Sequence, residues 1–285
     1  MIKINNITID QKMFPDHSLF VKFDAYSEAL PSFENPQIAI EWLYESDAEL
    51  FTLICIKRHL EIHRPLAVFD LFMPYIPHAR MDRAKNSEDV FTLKYFCEVI
   101  NSLNFNSVHV RDAHSNVSLA LLDNVSQESI NNYIHRAILD SGAEALFFPD
   151  EGAMKRYSEH ATIPYAFGMK KRDWETGKIL GLDIINGDAI KGKNILIVDD
   201  ICSRGGTFYY SAKALKEAGA ANISLYVTHL EGTVMIGDLP TSNLIKHIYT
   251  TESIFPESEL NRNYNDGFSW KDWITVYLPA GGKIE

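Results

Sequence analysis

The segment NILIVDDICSRGGT, residues 194–207, carries the residue types with the clearest chemical potential. Its apolar run Ile195–Val198 predicts a short strand buried on both faces, and Asp199 and Asp200 follow directly. The glycines at 205–206 can adopt positive φ and turn their N–H groups toward one point before a helix begins. Such a site suits a sugar phosphate, whose hydroxyls the carboxylates can hold. An ordinary βα turn with two solvated aspartates is the alternative.

This segment resembles the phosphoribosyl-diphosphate (PRPP) loop of type I phosphoribosyltransferases and of ribose-phosphate pyrophosphokinases (PRPP synthetases). The matching residues are Asp199, Asp200, Gly205, Gly206 and Thr207. Ser203 stands where Asp is commonest in that pattern, and Arg204 replaces the usual Thr. The resemblance implies that the two aspartates hold the ribose 2- and 3-hydroxyls or a sugar-bound magnesium ion. It also implies that residues 203–207 bind the 5-phosphate.

Five further segments resemble PRPP synthetase motifs and occur in that family's order. They are FPDHS (14–18), YIPHARMDR (75–83), RDAHS (111–115), FPDEGA (148–153) and MKKR (169–172). The resemblance implies ATP-binding residues in the first two segments, namely Phe14, Asp16, Arg80, Asp82 and Arg83. It implies magnesium ligands at His114 and Asp150, and it implies that Lys170 and Arg172 stabilise the transferring phosphoryl group.

Each short match also has an ordinary structural interpretation. The charges at 80–83 could form a surface ion-pair cluster, and His114 could be a structural histidine. Asp150 could cap a helix, and the basic run 170–172 could be a solvated loop. The order of all six matches, across residues 14 to 228, favours the functional interpretation. Two departures, Ser18 for Glu and Met81 for Gln, predict altered contacts with the adenine.

The resemblance implies a magnesium-dependent enzyme that transfers the diphosphoryl group of ATP to the 1-hydroxyl of ribose 5-phosphate, giving PRPP and AMP. Such a reaction depends mainly on positioning and charge neutralisation. Arg204 raises an alternative acceptor with a longer 5-substituent, chiefly ADP-ribose, for NAD synthesis or salvage. A PRPP-using phosphoribosyltransferase and a non-catalytic regulatory homologue are weaker alternatives. The family also implies a homo-oligomer, a dimer or a hexamer.

Composition excludes other classes of function. The formal net charge of −11 argues against a nucleic-acid-binding surface. No apolar run approaches membrane-spanning length, and the first residues show no signal-peptide pattern. Three cysteines without metal-like spacing indicate reduced thiols. We therefore expect a cytoplasmic protein.

Alternating strand and helix patterns predict an α/β protein with two similar, doubly wound, mostly parallel-sheet domains. The stretches 107–115 and 195–203 share one form, a buried strand followed by a polar exit and a helix. We predict an N-terminal domain over 1–142 with the ATP-binding segments, and a C-terminal domain over 143–258 with the ribose-phosphate loop. The aromatic tail 259–285 is expected to pack back onto a domain. Ser87 is predicted to cap a helix, and residues 170–178 to form a mobile polar loop.

Overall fold

The computed structural model describes residues 1–28, 30–32, 36–172, 179–255, 270–279 and 281–284, without the side chains of 170–172, 179–181 and 271. The chain divides into two compact units, Met1–Ser129 (unit 1) and Ile130–Glu285 (unit 2). None of the helices found in these ranges combines the length and the apolar character that a bilayer crossing requires.

Unit 1 contains a six-stranded sheet and a separate hairpin. Its elements are β1 (Ile2–Ile4), β2 (Ile7–Thr8), β3 (Asp10–Met13), β4 (Leu19–Lys22), β5 (Gln37–Trp42), α1 (Ala48–His63), β6 (Val68–Phe72), α2 (Thr92–Ser102), β7 (Ser107–Arg111), α3 (Asn116–Leu121) and β8 (Val125–Glu128). The sheet order is β2-β1-β5-β6-β7-β8, in which β5 to β8 are parallel and β1 is antiparallel to both of its neighbours. Strands β3 and β4 pair with each other as the hairpin.

Apolar and polar residues alternate along the unit 1 strands, and this alternation makes the two faces of the sheet different. Ile38, Leu71 and Val108 lie in one core with the buried residues of α1 and α2, and partly buried residues of α3 pack against that core. The opposite face, which we call the polar face, carries Asp70, Phe72, Ser107, His109 and Ser126. The predicted buried strand at 107–110 is present, but every second residue of SVHVR is polar, so the strand buries apolar residues on one face.

Unit 2 contains an eight-stranded sheet. Its elements are α4 (Asn131–Ser141), β9 (Ala145–Phe148), α5 (Glu151–Tyr157), β10 (Tyr165–Arg172), β11 (Ile179–Ile185), β12 (Asn194–Cys202), α6 (Gly206–Glu217), β13 (Asn222–Leu230), α7 (Leu239–Ser242), β14 (Ile248–Thr251), β15 (Ile274–Tyr277) and β16 (Lys283–Ile284). The order is β11-β10-β9-β12-β13-β14-β15-β16, parallel from β10 to β15 and antiparallel at both edges.

The unit 2 sheet is covered on both faces, because its central strands carry apolar residues toward either face. On one face, Ile195 and Ile197 pack with Phe208 and Leu215 of α6. On the other face, Leu196 and Val198 lie in a core with residues of α4 and α5. The predicted α/β class with mostly parallel sheets is confirmed, and unit 2 has the double winding.

The division between the units falls after Ser129, earlier than the predicted boundary after residue 142. Helix α4 accounts for the difference, because Tyr133, Ile134 and Ala137 share a core with Phe148 of β9. In the aromatic tail, β15 joins the unit 2 sheet beside β14. Residues 256–269, including Phe268, lie outside the described ranges.

Three local predictions need correction. Helix α2 begins at Thr92 rather than after Ser87, because the side chain of Asp89 instead accepts hydrogen bonds from the N–H groups of Lys85 and Asn86 in a turn. The backbone of 170–172 lies in β10, paired with β11, rather than in a loop. Strand β12 extends to Cys202, so both aspartates of the central motif lie within it.

Candidate functional site

Three aspartates of unit 2 approach one another at the carboxyl ends of neighbouring strands. Strands β9 and β12 run parallel and in register, with Phe147 beside Ile197. Asp150 comes two residues after β9 ends, and Asp199 and Asp200 are the sixth and seventh of the nine residues of β12. The carboxyl edge of a parallel sheet is where α/β proteins bind ligands.

The second aspartate of the pair is buried in an ion pair. Asp200 is only 5% exposed, and its Oδ2 accepts a hydrogen bond from Arg156 Nη1 at 2.9 Å. Arg156 lies near the end of α5 and remains about one-third exposed. A buried carboxylate needs such a partner to remain charged. The sequence motifs did not single out Arg156.

Asp199 lies in a different electrostatic environment. Burial, followed by the negative charges of Asp200 and Asp150, raises the pKa of the Asp199 carboxyl well above its ordinary value. The N–H of Asp200, which donates to Asp199 Oδ1 at 3.0 Å, and the charge of Arg156 act in the opposite direction. Asp199 therefore holds its proton to a higher pH than an ordinary aspartate does.

Asp150 combines the capping role expected from its position with an electrostatic one. Its Oδ1 accepts a hydrogen bond from the N–H of Ala153 at 3.1 Å and so caps α5. Its negative charge also contributes to the raised pKa of Asp199. The cap fixes this carboxylate close to the aspartates of β12.

The loop at 203–207 leads from β12 into the first turn of α6. Gly205 precedes the helix with φ +82°, a conformation that favours glycine. Gly206 and Thr207 are exposed at the helix N-terminus. The first N–H groups of a helix have no partner within the helix, so they are available to an anion.

A second segment, 231–239, supports this loop from behind. Ser203 Oγ lies 3.1 Å from Thr233 Oγ1, and Thr233 in turn donates to Glu231 at 3.1 Å. A Cβ on Gly237 would lie 1.9 Å from the carbonyl oxygen of Arg204, so only glycine fits there. The local sequence carried no signal for this contact, because Gly237 lies far from the motif.

Arg204 extends from the loop into solvent. Within the described ranges its guanidinium forms neither a hydrogen bond nor an ion pair, and the side chain is exposed. An unengaged guanidinium beside an anion-binding loop can form paired hydrogen bonds with phosphate oxygens.

Lys170 and Arg172 lie on the backbone of β10, opposite Leu182 and Ile179 of β11. The ladder shifts register between Lys171 and Arg172. Their side chains and residues 173–178 are outside the described part of the chain. The catalytic roles assigned to Lys170 and Arg172 remain predictions.

In unit 1, the predicted ATP segment and the RDAHS segment meet at Asp82. Its Oδ2 accepts a hydrogen bond from Ser115 Oγ at 2.8 Å, and its Oδ1 accepts one from Arg83 Nε at 3.0 Å. Burial opposes ionisation, but these hydrogen bonds and the charges of Arg83 and His114 lower the pKa of Asp82 overall. Arg80 is exposed nearby in sequence.

Phe14 and Asp16 lie at the tip of the β3–β4 hairpin. Asp16 Oδ1 accepts hydrogen bonds from Ser18 N at 3.0 Å and Ser18 Oγ at 2.7 Å, and both lower the pKa of the Asp16 carboxyl. The exposed Phe14 ring packs edge-to-face on Phe20. Within the described ranges, the contacts of these two residues stay inside the hairpin, so the structure does not join them to Asp82.

Several of the predicted residues thus gather into one group in each unit, whereas Phe14 and Asp16 stay apart in the hairpin of unit 1. His114 belongs to the Asp82 group of unit 1, and Asp150 belongs to the carboxylate cluster of unit 2. Across the described residues, no group of three or more His, Cys, Asp or Glu side chains is arranged to hold a metal ion. Any divalent ion would therefore need oxygen ligands from substrate or water in addition to protein groups.

Comparison with known proteins places this geometry in context. Residues 155–254, which include β12 and the 203–207 loop, match the model of the phosphoribosyl transferase domain family. The chain is 24% identical over 267 residues to the ribose-phosphate pyrophosphokinase of Thermococcus kodakarensis, covering 88% of this chain and 90% of that protein. It is 28% identical over 266 residues to the enzyme of the same name from Thermoplasma volcanium, covering 90% and 88%.

Among solved structures, the crystal structure of phosphoribosylpyrophosphate synthetase from Mycobacterium smegmatis matches with a TM-score of 0.71. The match covers 96% of this chain and 86% of that one at 17% identity, so it bears on the fold. The likeness that the sequence motifs predicted is confirmed over most of the chain.

Proposed function

We propose that this chain is a diphosphotransferase of the PRPP synthetase type. One observation carries the proposal: Asp199 and Asp200 lie near the carboxyl end of a buried strand, which a glycine-containing loop and a helix N-terminus follow. Carboxylates beside an anion-binding loop fit a ribose phosphate, with hydroxyls on the acids and the phosphate on backbone N–H groups. The names of the relatives, ribose-phosphate pyrophosphokinases, support the same reaction.

In the proposed reaction, the 1-hydroxyl oxygen of ribose 5-phosphate attacks the β-phosphorus of ATP. The bond from that phosphorus to the oxygen bridging the α-phosphorus breaks, AMP leaves with the oxygen, and the hydroxyl proton is released. The products are PRPP and AMP. The unit 1 residues Arg80, Asp82 and Arg83 are proposed to bind ATP, and residues 203–207 to bind the 5-phosphate.

Negative charge that develops on the transferring phosphoryl group accounts for the basic residues of β10 in this proposal. Lys170 and Arg172 are proposed to stabilise the transferring group, since catalysis of phosphoryl transfer consists mainly of positioning and electrostatic stabilisation. Asp200, held charged by Arg156, and Asp199 are proposed to hold the ribose hydroxyls. An ionised Asp199 accepts hydroxyl hydrogen bonds more strongly than a protonated one, so its raised pKa makes substrate binding dependent on pH.

Magnesium fits the donor set. It prefers oxygen ligands and is usually bound by one or two protein carboxylates together with phosphates and water. The crowding of negative charge around Asp199 is a pattern that a cation relieves. Asp150 and Asp199 would hold the ion in unit 2, and His114 is the candidate ligand in unit 1. Bound magnesium would neutralise phosphate charge.

Arg204 favours a second candidate acceptor, ADP-ribose. Its exposed guanidinium makes no ion pair within the described ranges, and it stands where the family usually has Thr. A diphosphate at the ribose 5-position extends farther than a monophosphate, and a guanidinium can reach its oxygens with paired hydrogen bonds. The product would be ADP-ribose 1-diphosphate.

The deciding experiment incubates the protein with ATP, magnesium and each acceptor, and identifies the products by mass spectrometry and phosphorus NMR. The proposal expects AMP and a 1-diphosphate in equal amounts, and a large loss of both in Asp200→Asn. Formation of ADP in place of AMP, or no AMP with either acceptor, would contradict it. Release of diphosphate from PRPP with a purine or pyrimidine would instead indicate a phosphoribosyltransferase.

A further inference from the structure

Helix α1 carries two histidines one turn apart near its end. His59 and His63 form the only pair among the ten histidines of the chain that is separated by four positions. Residues at this spacing are neighbours on the surface of a helix. The structure places the two imidazole rings 4.5 Å apart between centroids, with 55° between their planes. Both residues are half-buried, so the surrounding protein restricts the conformations of the two rings.

The ring nitrogens of this pair are available to a ligand. His63 Nδ1 lies 3.1 Å from the hydroxyl oxygen of Tyr26. Among the described residues, His63 Nε2 and both ring nitrogens of His59 have no hydrogen-bond partner. When the Nδ1–H group of His63 donates to the tyrosine oxygen, Nε2 keeps its lone pair. Each ring can therefore direct a lone pair to one point between them, and neutral imidazole is the commonest metal ligand in proteins.

The tyrosine beside His63 is held in place by the same end of the helix. Arg64, the residue after α1, is buried and donates to the carbonyl oxygens of Ala25 at 3.3 Å and Pro31 at 2.5 Å. These bonds hold the loop that carries Tyr26 against the helix, and the Tyr26 ring stands edge-to-face on His63 at 5.6 Å between centroids. A histidine that binds a metal usually has such a partner on its other ring nitrogen, which fixes the tautomer and the orientation of the ring.

We propose that His59 and His63 bind a divalent transition-metal ion of the class of Cu²⁺, Ni²⁺ and Zn²⁺, with Tyr26 as the positioning residue for His63. Metal–imidazole bonds of about 2.0–2.1 Å bring two ligating nitrogens to about 3 Å from each other. Rings whose centroids are 4.5 Å apart reach this separation by rotation of the side chains alone. Water fills the remaining positions, because no group of three or more His, Cys, Asp or Glu side chains suited to a metal occurs in the described part of the chain.

The chemistry of the two ligands selects the ion. Mg²⁺ prefers oxygen ligands, whereas imidazole nitrogen suits Cu²⁺, Ni²⁺ and Zn²⁺, of which Cu²⁺ binds most tightly. The histidine pair therefore differs in its choice of metal from the carboxylates of unit 2. His63 is the last residue of α1, where the negative end of the helix dipole stabilises a cation. The formal net charge of −11 adds a long-range attraction for cations.

Metal binding at this pair should stabilise the folded protein. An ion that bridges His59 and His63 requires the last turn of α1 to be helical, and the unfolded chain does not hold the two rings together. Leu60, between the two histidines in sequence, is fully buried in the unit 1 core, so this turn unfolds only when the core opens. We therefore expect the melting temperature to rise with the concentration of Ni²⁺ or Zn²⁺.

The test is calorimetric titration of the full chain with Ni²⁺ and Zn²⁺ in a buffer that contains excess Mg²⁺ and neither ATP nor an acceptor. His59→Gln and His63→Gln should each raise the dissociation constant at least about tenfold, and Tyr26→Phe should raise it by a smaller factor. Electron paramagnetic resonance of the wild-type protein with one equivalent of Cu²⁺ should show coupling to two imidazole nitrogens. This spectrum serves as the test if the histidine variants do not fold by circular dichroism.

The matched control is His135→Gln, which removes an exposed histidine of helix α4 that has no second histidine one turn away. It should bind both ions with the wild-type dissociation constant. A wild-type protein that binds none of the three ions, or a copper spectrum with a single imidazole nitrogen, would overturn the proposal. So would an equal loss of affinity in His135→Gln and His59→Gln. An unchanged dissociation constant in Tyr26→Phe would contradict the positioning role of Tyr26.

Discussion

The guanidinium of Arg156 donates to the carboxylate of Asp200 at 2.9 Å, whereas Asp199, the preceding residue, forms no ion pair within the described ranges. The two aspartates of the central motif are thus unequal. Asp200 has a neutralising partner, while Asp199 experiences the charges of Asp200 and Asp150. This inequality leads to predictions about pH and about the ion pair.

Asp199→Asn should raise the melting temperature at neutral pH. Because the folded-state pKa of Asp199 is raised, the folded protein retains this proton over a pH range in which the unfolded chain has lost it. The contribution of Asp199 to stability is therefore most favourable at low pH and decreases as pH rises through the folded pKa. The difference between variant and wild type, measured by thermal denaturation, should shrink as pH falls. A constant difference from pH 5 to pH 8 would contradict the raised pKa.

Arg156→Met should lower the free energy of unfolding by about 1–3 kcal/mol, because it removes a charged hydrogen-bond donor from the buried Asp200 carboxylate. Urea denaturation measures this change. The matched control is Lys155→Met, which removes the exposed ion pair between Lys155 and Glu151. This variant should lower the free energy of unfolding by less than about 0.5 kcal/mol. Equal decreases in the free energy of unfolding in both variants would show that the contact between Arg156 and Asp200 stabilises the protein no more than an exposed ion pair does.

Gly237→Ala should destabilise unit 2 by about 1–3 kcal/mol and raise the KM for the sugar phosphate, because the new Cβ would collide with the carbonyl oxygen of Arg204. Steady-state kinetics and urea denaturation report the two effects. Gly187→Ala is the control, since its Cβ would meet its nearest neighbour at an ordinary 3.8 Å. An unchanged KM in Gly237→Ala would show that the contact between Gly237 and Arg204 does not affect sugar-phosphate binding by the 203–207 loop.

Arg204→Thr should impair use of ADP-ribose far more than use of ribose 5-phosphate. Loss of a hydrogen bond to a charged group costs about 1.5–3 kcal/mol, which is roughly ten- to hundredfold in kcat/KM. Stability should not change, because the side chain is exposed. The relative use of the two acceptors is measured by competition between them, in the wild-type protein and in the variant. Equal losses, or no wild-type reaction with ADP-ribose, would leave ribose 5-phosphate as the acceptor.

Lys170→Ala should lower kcat by at least about a hundredfold with a smaller change in KM, because the proposed contact strengthens in the transition state. Lys191→Ala, at an exposed position of unit 2, is the control and should keep wild-type turnover. Pre-steady-state measurement of AMP formation separates chemistry from product release. Near-wild-type turnover in Lys170→Ala would show that Lys170 is a solvated residue without a catalytic role.

Local sequence was sufficient to predict elements whose structure depends only on the residues within them. Helix α1 spans residues 48–63, and the apolar residues Leu50, Leu53 and Ile54 of this stretch already have the spacing of a helix in the sequence. Strand ends were less predictable. Strand β12 continues past Val198 because β13 offers Val227 and His229 as pairing partners, and nothing in the acidic pair itself signals this.

The same distinction applies to the site. Asp150, Asp199 and Asp200 could be predicted, because parallel strands bring their carboxyl ends to one edge. Arg156 was missed, since its contact with Asp200 depends on how α5 lies against the sheet. Gly237 was missed for the same reason, because its role appears only when the 231–239 segment packs behind the loop.

The different coverage of the two sheets has a consequence for spectroscopy. Among the residues that the structure describes, helices pack on both faces of the unit 2 sheet and on one face of the unit 1 sheet, so the units have separate cores and heat can unfold them in separate steps. Of the four tryptophans, Trp174, Trp270 and Trp273 belong to unit 2, and the fully buried Trp42 is the single reporter in unit 1. Intrinsic fluorescence therefore follows mainly unit 2, which suits the variants at Asp199, Arg156 and Gly237. A Trp42→Phe background would make that signal specific, and its difference from wild type would report the unfolding of unit 1.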